Sequence, residues 1–103
     1  MVNALISQEI LEPGILSVTI KNHNKRNALS DSIKLELEKI ALELRTRTDV
    51  KAVILSGDQG NFSSGNDIKE KNAFGDGLNL EEARQKNRLG LRMCDAWTNI
   101  PQI

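Results

Sequence analysis

Ala52-Val53-Ile54-Leu55-Ser56-Gly57 runs directly into Asp58-Gln59-Gly60-Asn61-Phe62-Ser63-Ser64-Gly65-Asn66-Asp67-Ile68-Lys69. An apolar, β-branched run that stops at a glycine reads as a strand, and the small residues after it as a loop. Asp67-Ile68-Lys69-Glu70 then reads as the first turn of a helix. A strand that ends in Gly/Ser-rich backbone and opens a helix leaves unpaired N–H groups at a sheet edge. Such groups bind an anion or stabilise negative charge developing on a carbonyl oxygen. On physics alone, the stretch 57–67 reads equally well as a plain strand-to-helix connection. No Lys-Ser/Thr pair follows its glycines and no Gly-x-Gly-x-x-Gly occurs in it, which excludes a Walker loop and a dinucleotide fingerprint.

Upstream, residues 4–11 carry Leu5, Ile6, Ile10 and Leu11 among polar residues and read as a first strand. Pro13-Gly14 is a turn signal, and Ile15-Leu16-Ser17-Val18-Thr19-Ile20 alternates as a half-buried strand does. The two form an antiparallel hairpin. Residues 21–27 (KNHNKRN) are polar and basic and read as a surface loop. Ser30 is a suitable N-cap, with Asp31 favourable in the first turn. Ile33, Leu37, Ile40, Ala41 and Leu44 recur at helical spacing, with Glu36, Glu38, Lys39, Glu43 and Arg45 on the other face, so a helix is predicted over about 31–47. The next strand covers 52–56. Val53, Ile54 and Leu55 in succession predict burial on both of its faces. Strand, helix and strand in this order favour a right-handed crossover, and the fold class is α/β.

Downstream, residues 69–79 read as an exposed, mobile segment containing Phe74-Gly75-Asp76-Gly77. Asn79 can cap a last helix beginning at Leu80-Glu81-Glu82, whose apolar stripe reads as Leu80, Ala83, Leu91, Cys94 and Trp97. Cys94 then reads as core rather than nucleophile, and Trp97 with Leu91 as packing. Pro101 closes the helix. No internal repeat, low-complexity tract or linker divides the chain.

The totals narrow the function classes. A chain of 103 residues, 39% hydrophobic with two Phe, one Trp and no Tyr, must build its core from Leu, Ile, Val and Ala. Fourteen basic residues balance fourteen acidic ones. That balance supplies no general attraction to nucleic acid or to an acidic membrane, and the few aromatics give no base-stacking platform. One cysteine forms no intrachain disulfide and no thiolate zinc site. His23, the one histidine, reads as solvated rather than catalytic. No metal site is expected. No run approaches bilayer length, no targeting leader is read at Met1, and a cytoplasmic location is the expectation.

Three stretches resemble the crotonase, or enoyl-CoA hydratase/isomerase, superfamily. Asn24-Lys25-Arg26-Asn27-Ala28-Leu29 resembles the short motif before that family's first helix. Asp49-Val50-Lys51-Ala52-Val53-Ile54-Leu55-Ser56-Gly57 resembles its next strand, and Phe62-Ser63-Ser64-Gly65-Asn66-Asp67-Ile68 its Phe-small-small-Gly-x-Asp-hydrophobic loop. Each is short, but the three stand in the family's order with a long helix between the first and second. The resemblance runs from the hairpin to Pro101. It implies the N-terminal portion of a ββα spiral and an acyl thioester of coenzyme A as ligand, with no separate cofactor.

By family position, the backbone N–H of Asn66 is one of two donors to the thioester oxygen, stabilising the enolate. Ser64, Gly65, Asp67 and Ile68 would lie beside the adenine and pantetheine arm, small residues allowing close approach. Asp67 reads alternatively as a helix-start residue favoured by the dipole. Lys25 and Arg26 match the stretch near the coenzyme A phosphates, or else form a solvated basic loop. Ala28 would belong to the pocket wall. The family's second oxyanion donor and its acid/base carboxylates come after the position of Ile103, so the 103-residue chain is expected to lack turnover. The parent chemistry implied is hydration of a 2-enoyl thioester, or a 3-to-2 double-bond shift. A non-catalytic coenzyme A-binding or assembly module is the alternative. Family members imply a homo-oligomer, a trimer or a pair of trimers.

Overall fold

A computed structural model describes residues 5–65 and 80–103. Its elements are β1 (Ile6–Glu12), β2 (Ile15–Ile20), a 3₁₀ turn (His23–Lys25), α1 (Asp31–Leu44), β3 (Ala52–Gly57) and α2 (Leu80–Thr98). Pro13-Gly14 makes the hairpin turn, with Gly14 at φ +90, where a side chain would strain the backbone. β1 and β2 pair antiparallel from Ile6↔Ile20 to Ile10↔Leu16, with an irregularity before Glu12↔Ile15. β2 and β3 pair parallel from Ile15↔Ala52 to Ile20↔Gly57, so the sheet order is β1-β2-β3. The parallel pair is joined through α1, the crossover that the hydrophobic patterning predicts.

α1 begins where Ser30 caps it: the Ser30 hydroxyl oxygen accepts from the Ile33 N–H at 3.3 Å, and Asp31 occupies the first turn. Ile33, Leu37, Ile40, Ala41 and Leu44 are all buried, as their spacing predicts. Ile33, Leu37, Ile40 and Leu44 meet Leu16, Val18 and Ile20 of β2, and Val50, in one cluster. Each such side chain contributes about 1.5–3 kcal/mol on burial. The helix stops at Leu44, a turn short of residue 47. The backbone tightens there, Thr46 N–H donating to Glu43 C=O and Arg47 N–H to Leu44 C=O, both at 3.3 Å. The Gln102 side-chain amide donates to the carbonyls of Leu44 (2.7 Å) and Arg47 (3.1 Å), closing that end from a distant part of the chain.

Two packing expectations are corrected. Val53 and Leu55 lie against the core, but Ile54 is 48% exposed. Among the described residues the helices cover one face of the sheet, and alternation along β3 turns Ile54 to the other. On α2, Leu80 and Leu91 (70% exposed) face solvent, and so does Cys94, which is therefore not a core residue. The face that packs carries Leu89, Met93, Ala96 and Trp97, and Ile100 just past the helix joins it. At about 100° per residue, Leu91 lies roughly opposite that face, with Trp97 on its border. Both stripes have helical spacing, and the surface of α1 selects between them. Trp97 Nε1–H donates to Leu37 C=O at 2.9 Å, and Arg92 donates twice to the Glu38 carboxylate, at 2.9 and 3.0 Å.

The expected helix start at residues 67–70, the exposed segment 69–79 and the Asn79 cap lie outside the described residues. No helix among the described residues is long and apolar enough to cross a membrane.

The Arg92 guanidinium, hydrogen-bonded to Glu38, holds that carboxyl below its usual range. A carboxyl depressed in the fold adds stability that is fully present above the unfolded-state value, about 4.3, and is lost as pH falls through the lower folded value. Glu38→Gln is expected to flatten the acid limb of stability below about pH 4.3, measured as urea midpoints against pH. An unchanged acid limb would show that the pair contributes nothing to the tie between α1 and α2.

Candidate functional site

β2 and β3 end side by side, so the segments leaving them emerge at one end of the sheet. The last rung is Asp58 N–H to Ile20 C=O at 3.0 Å. Beyond it the chain turns over 58–61 with Gln59 at φ 59 and Gly60 at φ +83, the Asn61 N–H reaching Asp58 C=O at 3.4 Å. From β2 the chain passes through the 3₁₀ turn His23–Lys25 and then takes two consecutive left-handed residues, Arg26 (φ 54) and Asn27 (φ 58).

Asn27 is the residue that the sequence reading missed. It closes a stretch taken as surface loop, yet it is 0% exposed. Its Nδ2 donates to both ends of the neighbouring turn, Asp58 C=O at 3.0 Å and Asn61 C=O at 2.7 Å. Its Oδ1 accepts from the Asn22 N–H at 2.8 Å, and Asn22 Nδ2 in turn donates to Ala28 C=O at 2.9 Å. Both polar atoms of the amide group find partners, which is what permits its burial. The available signal was an asparagine beside a buried small residue, since Asn is enriched where φ is positive.

The turn held in this way delivers residues 63–65 to the first loop. Ser64 N–H donates to Arg26 C=O at 3.0 Å, and Leu29 N–H to Gly65 C=O at 2.7 Å. Ser64 Oγ lies 3.4 Å from Lys25 C=O, and Ser63 Oγ accepts from the Gly65 N–H at 3.0 Å. The structure thus brings together Lys25, Arg26, Ala28, Ser64 and Gly65, which sit in two sequence motifs with all of α1 between them. Lys25, Arg26 and Ser64 are exposed and Ala28 is buried beneath them. Asn66, Asp67 and Ile68 lie outside the described residues. Two exposed basic residues whose carbonyls are bonded to a serine and glycine stretch are the residue types that suit an extended anionic ligand.

His23 is half exposed, with Nδ1 3.8 Å from Asp58 Oδ2. Among the described residues no group of three or more His, Cys, Asp or Glu is placed to hold a metal ion.

The sequence profile described as Enoyl-CoA hydratase/isomerase matches residues 11–103. A zebrafish (Danio rerio) protein named ethylmalonyl-CoA decarboxylase is 40% identical over 93 residues, covering 89% of this chain and 28% of that protein. A Mycobacterium bovis protein named probable enoyl-CoA hydratase EchA17 is 32% identical over 101 residues, covering 98% of this chain and 37% of its own length. The chain therefore spans about a third of these relatives. An enoyl-CoA hydratase crystal structure from Mycobacterium smegmatis superposes with a TM-score of 0.87 at 23% identity, over 97% of this chain and 38% of that one. That likeness shows the fold: the α/β arrangement is the one found in the N-terminal part of such proteins.

Gly57 is where the site tolerates least change. A Cβ there would run into the carbonyl oxygens of Asn61 and Phe62 and come within 2.7 Å of Asn27 Nδ2, whereas one at Gly65 (φ +93) would meet nothing within 4 Å. Gly57→Ala is expected to cost about 1–3 kcal/mol or more through overpacking. Gly65→Ala is expected to cost about 1–2 kcal/mol through backbone strain alone. Denaturant titration of the two variants checks the order.

Proposed function

The chain belongs to the enoyl-CoA hydratase/isomerase family, and on that premise we propose that it forms the coenzyme A cradle and half of the oxyanion hole of an enzyme acting on acyl-CoA thioesters. In this reading residues 1–103 are the N-terminal part of a crotonase-like domain. The observation that carries it is the stitching of residues 25–29 to residues 63–65, which sets two cations beside a small-residue backbone at the carboxyl ends of β2 and β3. Lys25 and Arg26 meet the ligand's phosphates, Ala28 backs the pocket, and Ser64, Gly65, Asp67 and Ile68 flank its adenine and pantetheine arm. The Asn66 N–H donates to the thioester oxygen, where a backbone donor stabilises the charge that builds in the transition state.

The chemistry proposed is enolate stabilisation, with hydration of a 2-enoyl thioester as the parent reaction. Water gives up a proton to a base and adds to the β-carbon, the pair of the C=C bond moves onto the thioester oxygen as the enolate, and protonation at the α-carbon completes the step. A 3-to-2 double-bond shift passes through a related anion, the dienolate left when the α-carbon loses its proton before the γ-carbon gains one. Decarboxylation, the activity for which the zebrafish relative is named, also gives such an anion: cleaving the bond from the α-carbon to a carboxylate releases carbon dioxide and leaves the enolate. One donor set serves all three, and the proton-transfer groups decide between them. The enzyme needs no cofactor beyond the coenzyme A of its substrate. It assembles as a trimer or a pair of trimers and works in the cytoplasm.

Calorimetric titration of the 103-residue chain with coenzyme A is the direct test. Binding is expected, with turnover of a 2-enoyl thioester absent, and Lys25→Ala with Arg26→Ala weakening affinity roughly tenfold or more. The affinity is expected to fall as salt rises. Absence of binding in the folded chain would overturn the cradle, and robust turnover would overturn the assignment of proton transfer to groups outside these residues.

A further inference from the structure

We propose that Asn27 is the positioning residue of this site, the group that holds the backbone at 63–65 in place against residues 25–29. The proposal rests on the reading of those two segments as the thioester cradle. Turn 58–61 leaves β3 with left-handed residues at 59 and 60, and its one internal backbone hydrogen bond is long, 3.4 Å. Its closure therefore depends on something else, and the Asn27 amide donates to the first and last carbonyls of the turn at once. Gly57 leaves room for that amide, since a Cβ would stand 2.7 Å from Nδ2.

The same residue acts through its backbone. Arg26 and Asn27 at φ 54 and φ 58 bend the first loop, and the Arg26 carbonyl beside the Asn27 amide accepts from Ser64 N–H. The side chain thus fixes where the second loop leaves the sheet, and the adjoining peptide fixes where it arrives. Asn27 itself is buried and offers no surface to a ligand. It sets the position of the residues that do.

Asn27→Gly separates the two roles, because glycine keeps the positive φ without strain while losing the amide. Asn27→Asp keeps the volume but sets a carboxylate against two carbonyl oxygens that need donors. Amide hydrogen exchange is followed by NMR in the 103-residue chain, alongside coenzyme A titration. In Asn27→Gly the Ser64 and Leu29 amides are expected to exchange at least roughly tenfold faster, with β2 and α1 core amides unchanged and coenzyme A bound roughly tenfold more weakly. Asn27→Asp is expected to lose more on each count.

Unchanged exchange at Ser64 and Leu29 would overturn the proposal. So would a rise that the core amides share in proportion, since that reports global stability rather than positioning. Should either variant fail to fold, the wild-type chain decides: the Asn27 side-chain NH2 must exchange far more slowly than that of the exposed Asn24, and equal rates would overturn the proposal. If the wild-type chain binds no coenzyme A, the thioester reading falls, while the exchange data still decide what Asn27 does.

Discussion

Parallel pairing of β2 with β3 is the constraint on which both the core and the site depend. Parallel neighbours place their carboxyl ends at the same end of a sheet, and connections leaving those ends meet whether or not they are near in sequence. The register is pinned at both limits: the Gly14 carbonyl accepts from Lys51 and Ala52, and the Ile20 carbonyl from Asp58. A slip of one residue would turn Val53 and Leu55 away from the core and bring Ile54 toward it in their place. It would also move turn 58–61 out of reach of Asn27. The hydrophobic contacts that stabilise the fold and the polar contacts that shape the loops therefore enforce one register.

The helical layer stabilises the sheet without entering the site. α1 supplies more of the buried apolar side chains than any other element, and Met93 and Trp97 of α2, with Ile100 just beyond it, pack against that core from outside. Three polar ties set that second contact. Trp97 and Gln102 both donate to carbonyls of or just beyond α1, and Arg92 pairs with Glu38. The exposed ion pair contributes modestly, because water screens it. Gln102 matters more for order than for energy, because it satisfies helix-end carbonyls that would otherwise be left without intrahelical partners. One residue further on, Ile103 reaches the outer edge of β3, donating to Lys51 C=O at 3.1 Å and accepting from Val53 N–H at 2.8 Å.

Much of this was legible from residues in order. The hairpin about Pro13-Gly14, the Ser30 cap, the α1 stripe and the strand ending at Gly57 each rest on local chemistry, and each is where the pattern puts it. The segments that hold Lys25, Arg26, Ser64 and Gly65 are joined by hydrogen bonds, although all of α1 separates them in sequence. What failed were choices that local chemistry leaves open. The apolar residues of α2 trace two helical stripes, and only the facing surface of α1 chooses between Leu91 and Met93. Three apolar residues in a row at 53–55 cannot show how many faces of a sheet are covered. A polar loop hides a buried asparagine because the turn that satisfies it lies 31 to 34 residues away.

The sequence by itself determined the secondary elements, their order, the face of α1 that is buried and the family to which the chain belongs. These follow from periodicity, capping and turn residues, which act over a few positions and need no partner. The tertiary structure alone decided which side of α2 packs, where Ile54 points, and that Asn27 joins the two loops. Each of those depends on a surface or a carbonyl brought close by the parallel pairing of β2 and β3, and no local pattern encodes such a neighbour.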